Sequence, residues 1–151
     1  MARSPRERIS TSRLLTMIRG ARSFQEATAY HAVTPDPRFH ETLYEMMELK
    51  GLTARDMIRK TGIERSYFYH ILSGQKTPGR NMVLRIGFCL SLNLKEMNRL
   101  LQLSGTAPLY PRIRRDASLI FALQNHYSMS EANDLLIHAA EEPLFLKDES
   151  K

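Results

Sequence analysis

Throughout the 151-residue chain, apolar residues recur at spacings of three and four, and no stretch alternates cleanly with period two. A chain patterned this way can bury apolar surface only along helical stripes, so the expected fold class is all-α. The first helix is predicted over 11–30, with Leu14, Ile18, Ala21 and Phe24 or Gln25 on one stripe and Ser10, Thr11 or Ser12 as N-cap. VTPDP at 33–37 carries two prolines that bar helix continuation and reads as a linker. Five short helices follow. The first, over 38–50, has Phe39, Leu43, Met46 and Met47 on its core face and stops at Gly51. The second opens at Thr53, with Asp56 completing a capping box, and ends at Gly62. The remaining three cover 64–73, 80–92 and 94–103. Pro111 is placed to open a sixth helix, and Ser128 with Glu131 forms the capping box of a seventh.

The chain also echoes itself. At an offset of 35, residues 80–110 match 115–145 at eight of 31 positions, among them Arg80/Arg115, Glu96/Glu131, Asn98/Asn133 and Leu109/Leu144. Two copies are too few for a solenoid, so the reading is a duplicated helical hairpin, the second stacked on the first. The expected organisation is a basic N-terminal extension at 1–37, a five-helix domain at 38–106, an added hairpin at 107–146 that duplicates 77–110, and a polar tail at 147–151.

Composition removes several function classes. With 42% hydrophobic and 25% charged residues, wholesale disorder is not expected. The lone Cys89 excludes a disulfide framework and a multi-cysteine metal site within one chain, and it reads as a small buried hydrophobe. His31, His40, His70, His126 and His138 show no ligand spacing, so neither metal nor cofactor is expected. No apolar run approaches the roughly 20 residues of a membrane helix, and no secretory leader pattern appears at the start. A cytoplasmic protein of a bacterium or phage is expected. Phosphate-binding glycine loops, nucleophile elbows and metalloprotease helices are absent, and catalysis is not expected.

The net charge of +6 is unevenly distributed. Residues 1–36 hold six arginines against three acids, residues 37–106 eleven bases against six acids, and residues 107–151 five bases against seven acids. A basic excess confined to the first two thirds is the footprint of a protein that faces a polyanion. Residues 51–80, GLTARDMIRKTGIERSYFYHILSGQKTPGR, supply the matching shape. Two short helices joined by a turn at Gly62, with Ile63 plugging the angle between them, have the spacing of a helix-turn-helix. On a wheel of 100° per residue, Glu64, Ile71 and Leu72 flank Phe68 on the apolar side that packs on Met57 and Ile58. Ser66, Tyr69, His70 and Ser73 cluster opposite, with Arg65 on the rim near the helix start. Such a row of hydrogen-bonding groups suits base edges in a major groove. Thr53, Ala54 and Arg55 at a helix N-terminus, and Gln75, Lys76, Thr77 and Arg80 beyond the second helix, are candidates for phosphate contacts. Arg112, Arg114 and Arg115 read either as a further phosphate patch or as a solvated face with Asp116.

With these landmarks in order, Leu52-Thr53, Gly62-Ile63, Ser66, Phe68, Ile71, Gly74 and Pro78, residues 38–106 resemble the phage-repressor and Cro-type helix-turn-helix family, also called the xenobiotic-response-element family. The resemblance implies a lambda-repressor-like domain of five helices. It implies that Arg65, Ser66 and His70 face base edges and that Ala54 and Arg80 lie at backbone-contact positions. The chain departs from that family in having Ile58 where alanine is common and Leu72 where glutamate is common. The succession Tyr67-Phe68-Tyr69 is also unusually aromatic, with Tyr67 open to a half-buried packing role and Tyr69 to either role. The expected function is sequence-specific binding of double-stranded DNA as a transcriptional regulator, a repressor, working as a homodimer through the N-terminal helix, the C-terminal hairpin or both. The alternative is a protein-interaction module, an antitoxin or adaptor on the same fold, which the aromatic run and the acidic last third favour.

Overall fold

The computed structural model describes residues 11–27 and 38–146. Its helices are α1 Thr11–Arg19, α2 Phe39–Lys50, α3 Ala54–Thr61, α4 Arg65–Leu72, α5 Arg80–Cys89, α6 Leu94–Leu103, α7 Arg114–Gln124 and α8 Met129–His138. Among the described residues there is no strand, so the fold is all-α. None of the described helices is long and apolar enough to cross a membrane. The chain forms two units, Met1–Pro37 and Arg38–Lys151.

In the first unit the helix expected over 11–30 ends at Arg19. Gly20 disfavours continuation, and Ser23 accepts the Glu26 N–H at 3.1 Å to start a separate helical turn at 24–27. Phe24 is 82% exposed and does not extend the stripe of Leu14 and Ile18. Ser10, residues 28–30 and the linker at 33–37 lie outside the described residues.

The described helices of the second unit have 8 to 12 residues, and four of the seven are started by a side-chain cap, at Thr53, Glu64, Asn93 and Ser128. α2 buries Phe39, Leu43 and Met47 and stops where Gly51 turns left-handed at φ 69°. The capping box of α3 is present: Thr53 accepts from the Asp56 N–H, and Asp56 accepts from the Thr53 N–H at 2.9 Å. α6 and α8 open on equivalent boxes, Asn93 with Glu96 and Ser128 with Glu131. α5 is shorter than the expected 80–92, because Ser91 adopts φ 54°. Pro111 does not open a helix; it lies in a turn, and α7 starts at Arg114 with Ile113 in the N-cap position. Met57, Phe68, Ile71, Leu84 and Ile86 are fully buried and join α3, α4 and α5 into one core.

The hairpins α5–α6 and α7–α8 share their geometry position by position at the 35-residue offset. Ser91 and His126 take φ 54° and 56°, and Gly105 and Ala140 take 77° and 56°. In the first hairpin, the Leu109 N–H donates to Asn98 Oδ1 at 2.8 Å and Arg80 Nε donates to the Ala107 carbonyl at 3.1 Å. In the second, the Leu144 N–H donates to Asn133 Oδ1 at 2.8 Å and Arg115 Nε donates to the Glu142 carbonyl at 2.8 Å. Each hairpin therefore holds its own trailing arm by the same two clasps. The second hairpin packs on the first with α5 against α8 and α6 against α7. Because the hairpins pack on each other, 38–106 and 107–146 share one compact unit.

The strongest polar link between the hairpins is Arg80 with Asp116. Arg80 donates to both carboxylate oxygens, Nη1 at 3.0 Å and Nη2 at 2.9 Å, and Asp116 also accepts the Tyr110 N–H at 3.0 Å. Asp116 is therefore not part of a solvated face; it is 1% exposed. Burial pushes its carboxyl up, but the hydrogen bonds from Arg80 and Tyr110 and the charges of Arg80 and Arg115 outweigh this, and the net position is below the usual 3.8. A carboxyl depressed in the folded state contributes stability above its unfolded pKa and loses that contribution as pH falls through the folded value. Removing one member of a largely buried pair strands the other, at a cost of about 3 kcal/mol. Arg80→Ala should lower the free energy of urea unfolding by that amount at pH 7, and wild type and variant should converge as the pH falls below about 4.

Candidate nucleic-acid interface

The outward face of α4 follows from how the helix is started and what it buries. Glu64 is its N-cap, its carboxylate accepting the Ser66 N–H at 3.1 Å and the Tyr67 N–H at 2.9 Å. Those hydrogen bonds, the Tyr67 bond first, hold the carboxyl below its usual range. The wheel placed Glu64 on the apolar side, but it lies exposed outside the helix, so the helical count begins one residue later. Phe68 and Ile71 are fully buried, while Tyr67 and Leu72 are half-buried against the core. Ile63 is buried in the turn between α3 and α4, and Gly62 takes φ 70° there.

All five residues expected to read bases, Arg65, Ser66, Tyr69, His70 and Ser73, are exposed; the helix pitch sets Ser66 and His70 opposite Phe68, Tyr69 to one side and Arg65 on the rim, with Ser73 in the C-cap position. The Arg65 guanidinium lies over the Tyr69 ring, 5.7 Å from its centroid, so the aromatic ring holds the long arginine against the helix. Ser73 Oγ donates to the His70 carbonyl at 3.1 Å, and the N–H groups of Gln75 and Lys76 converge on the same carbonyl at 3.0 and 3.1 Å. This wraps the loop around the C-terminus of α4 and leaves the side chains of Gln75, Lys76 and Thr77 exposed.

The residues expected to meet phosphate divide into three groups. Thr53 and Ala54 share an open groove of about 550 Å³ with Tyr69, Ser73, Tyr44 and Met47, so the start of α3 and the outward face of α4 border the same depression. Asp56, however, already occupies the N-terminus of α3: it accepts both the N–H and the hydroxyl of Thr53 at 2.9 Å and approaches Arg59 at 3.5 Å. The Thr53 hydrogen-bonding groups are thus engaged within the cap. The peptide N–H groups of Ala54 and Arg55 remain without an intrahelical partner by their position, and the Arg55 side chain is exposed. Arg80 requires a correction. Its guanidinium is directed inward onto Asp116 and the carbonyls of Ala107 and Pro108, so it acts as a strut and is not presented to a phosphate. Of the C-terminal arginines, Arg115 is tied to Asn81 at 2.7 Å and to the Glu142 carbonyl, and Arg114 lies 3.8 Å from Glu141.

Two contributors were not read from the sequence. Arg85 Nη2 donates to the Thr61 carbonyl at 2.6 Å, while its guanidinium lies 5.4 Å from the centre of the Phe145 ring, linking the α3–α4 turn to the last described arm. Nothing local to Arg85 announces a carbonyl partner 24 residues away. His40 is the other: its ring covers Gly74, where φ is 82° and an added Cβ would lie 2.8 Å from the ring. Cys89 is half-buried beside Met57, with a sulfur separation of 3.7 Å, and burial raises its thiol pKa.

No family model, curated protein or solved structure matches this chain. The geometry at Gly74 gives a direct check. Gly74→Ala should cost about 2 kcal/mol or more, from left-handed strain plus the His40 contact. Gly51→Ala, with φ 69° and nothing within 4 Å, carries the strain alone. Urea unfolding of both variants, and of Gly74→Ala combined with His40→Ala, should show the gap between them closing when the ring is removed.

Proposed function

We propose that the chain is a sequence-specific double-stranded-DNA-binding transcriptional regulator of the phage-repressor and Cro type, acting as a repressor. Its five-helix domain, α2 to α6, presents α4 to the major groove as the second member of a helix-turn-helix. One observation carries this reading: Ser66, Tyr69 and His70, with Arg65 on the rim and Ser73 at the C-cap, stand exposed on a short helix whose other face is anchored by the fully buried Phe68 and Ile71. A rigid helix bearing an arginine and several hydroxyl and imidazole groups at its surface can read base edges. Arg55, Gln75, Lys76 and Thr77 border it and would set register on the phosphates. The regulator works as a homodimer on a two-fold site, through the N-terminal helix, the C-terminal hairpin or both.

A protein partner is the second reading. It is favoured by two separate large apolar side chains left open on α2, Tyr44 at 55% and Leu49 at 83% exposure.

Selection of bound duplexes from a random library would supply the operator. Against it, Arg65→Ala should lose about 1–3 kcal/mol on the selected sequence and little on random DNA. Lys76→Ala should weaken both alike and lower the slope of log K against log salt by about one unit. Equal losses on both duplexes for Arg65→Ala would remove it as a base reader. Failure to select any duplex, together with stoichiometric capture of one protein, would favour the second reading.

A further inference from the structure

The two hairpins are joined by reciprocal contacts. Arg80 reaches Asp116, and Arg115 Nη2 reaches Asn81 Oδ1 at 2.7 Å; Arg80 and Arg115 are equivalent positions at the 35-residue offset, and so are Asn81 and Asp116. The helix contacts obey the same rule, α5 with α8 and α6 with α7. Between them lies a cavity of about 30 Å³ lined by three equivalent pairs, Phe88 with Leu123, Ser91 with His126, and Leu92 with Tyr127. When residue i of one element meets residue j of its twin, and j meets i, the two are related by a local two-fold axis. That is the self-complementary arrangement of a homodimer interface.

The covalent link across this axis is short. Leu109 is buried and clasped into the first hairpin, and α7 begins at Arg114. Residues 110–113 between them are all exposed and are held by the Tyr110 N–H to Asp116 and the Ile113 N–H to the Tyr110 carbonyl. Four residues span at most about 14 Å, so the route of these few residues alone decides which hairpin pairs with which.

We propose that the face of α5–α6 covered by α7–α8 is an exchange interface whose second occupant is the α7–α8 hairpin of another copy of this chain. In the exchanged dimer each Arg80 pairs with the other copy's carboxylate, each Arg115 with the other copy's asparagine, and every contact across the axis is remade. Only the path of 110–113 changes. The dimer joins two α4 helices about a two-fold axis through a surface the single chain already uses. The inference rests on the reciprocal pairing and stands whether or not α4 reads DNA.

Two full-length variants test it by complementation. Arg80→Glu places a carboxylate against Asp116 within one chain, and Asp116→Arg places a guanidinium against Arg80. Each variant alone carries a repulsive link in the closed form. In an exchanged heterodimer one interface regains Arg80 with Asp116 and the other pairs the introduced glutamate with the introduced arginine. Equimolar mixtures, unfolded together in urea and refolded, should give a species of twice the 17.4 kDa chain mass by light scattering, with an unfolding midpoint above that of either variant alone. If neither variant folds by itself, recovery of folded heterodimer on co-refolding is the expected result. A mixture that behaves as the sum of its parts, in mass and in midpoint, overturns the proposal. So does a heterodimer with no gain in midpoint, since association through any other surface leaves both repulsive links in place.

Discussion

Every described helix of the second unit has between 8 and 12 residues. Helices of that length are marginal in water by themselves, because nucleation is costly and few hydrogen bonds repay it. What makes them helices here is the pairing of a chemically fixed start and stop with one fully buried stripe. Thr53, Asn93 and Ser128 fix three of the starts, while Gly51 and Gly62 fix two of the stops at positive φ. Leu43, Met57, Phe68, Leu84, Met97, Leu119 and Leu136 provide the buried stripes, one side chain from each of the seven helices and each wholly removed from solvent. Shortness is also what allows the chain to turn often enough to place α4 on the outside with its back to the core.

The features legible in the sequence are the ones whose physics is local. A capping box acts between residues three apart, so Thr53 with Asp56 and Ser128 with Glu131 could be placed from the letters alone, as could the all-helical class and the stripe of Phe68 and Ile71. The outward set on α4 is legible for the same reason, since pitch fixes which side chains share a face once the helix is granted. The wheel misplaced Glu64 because it treated the cap as a helical residue; a side chain outside the helix obeys cap geometry and not the 100° step. Arg80 was misread through distance. A lone arginine at a helix start looks like a phosphate ligand, and the buried Asp116 that claims it stands 36 residues further on. The structure repeats the pairing in reverse, for Arg115 at the equivalent place meets Asn81, the counterpart of Asp116.

The two hairpins, alike in geometry, differ in what their first helices bury. Val83, Ile86 and Leu90 are buried in the first hairpin, whose α5 packs on α3. Their counterparts in the second are Ser118, Phe121 and Asn125. Two of the three have become polar, and Phe121, half exposed, leans edge-on against Tyr127 with ring centres 5.8 Å apart. The same backbone is used once as a core element and once as a lid on that core.

Arg85 lies between two parts of the molecule that are far apart in sequence. One side of its guanidinium meets the carbonyl that ends α3, and another meets the ring of Phe145. A planar cation shared in this way cannot leave the carbonyl without loosening its hold on the ring, and the reverse holds equally. The α3–α4 turn and the arm that closes the last hairpin are therefore tied through a single side chain although 84 residues separate Thr61 from Phe145, and their amide protons are expected to exchange with solvent on a common timescale.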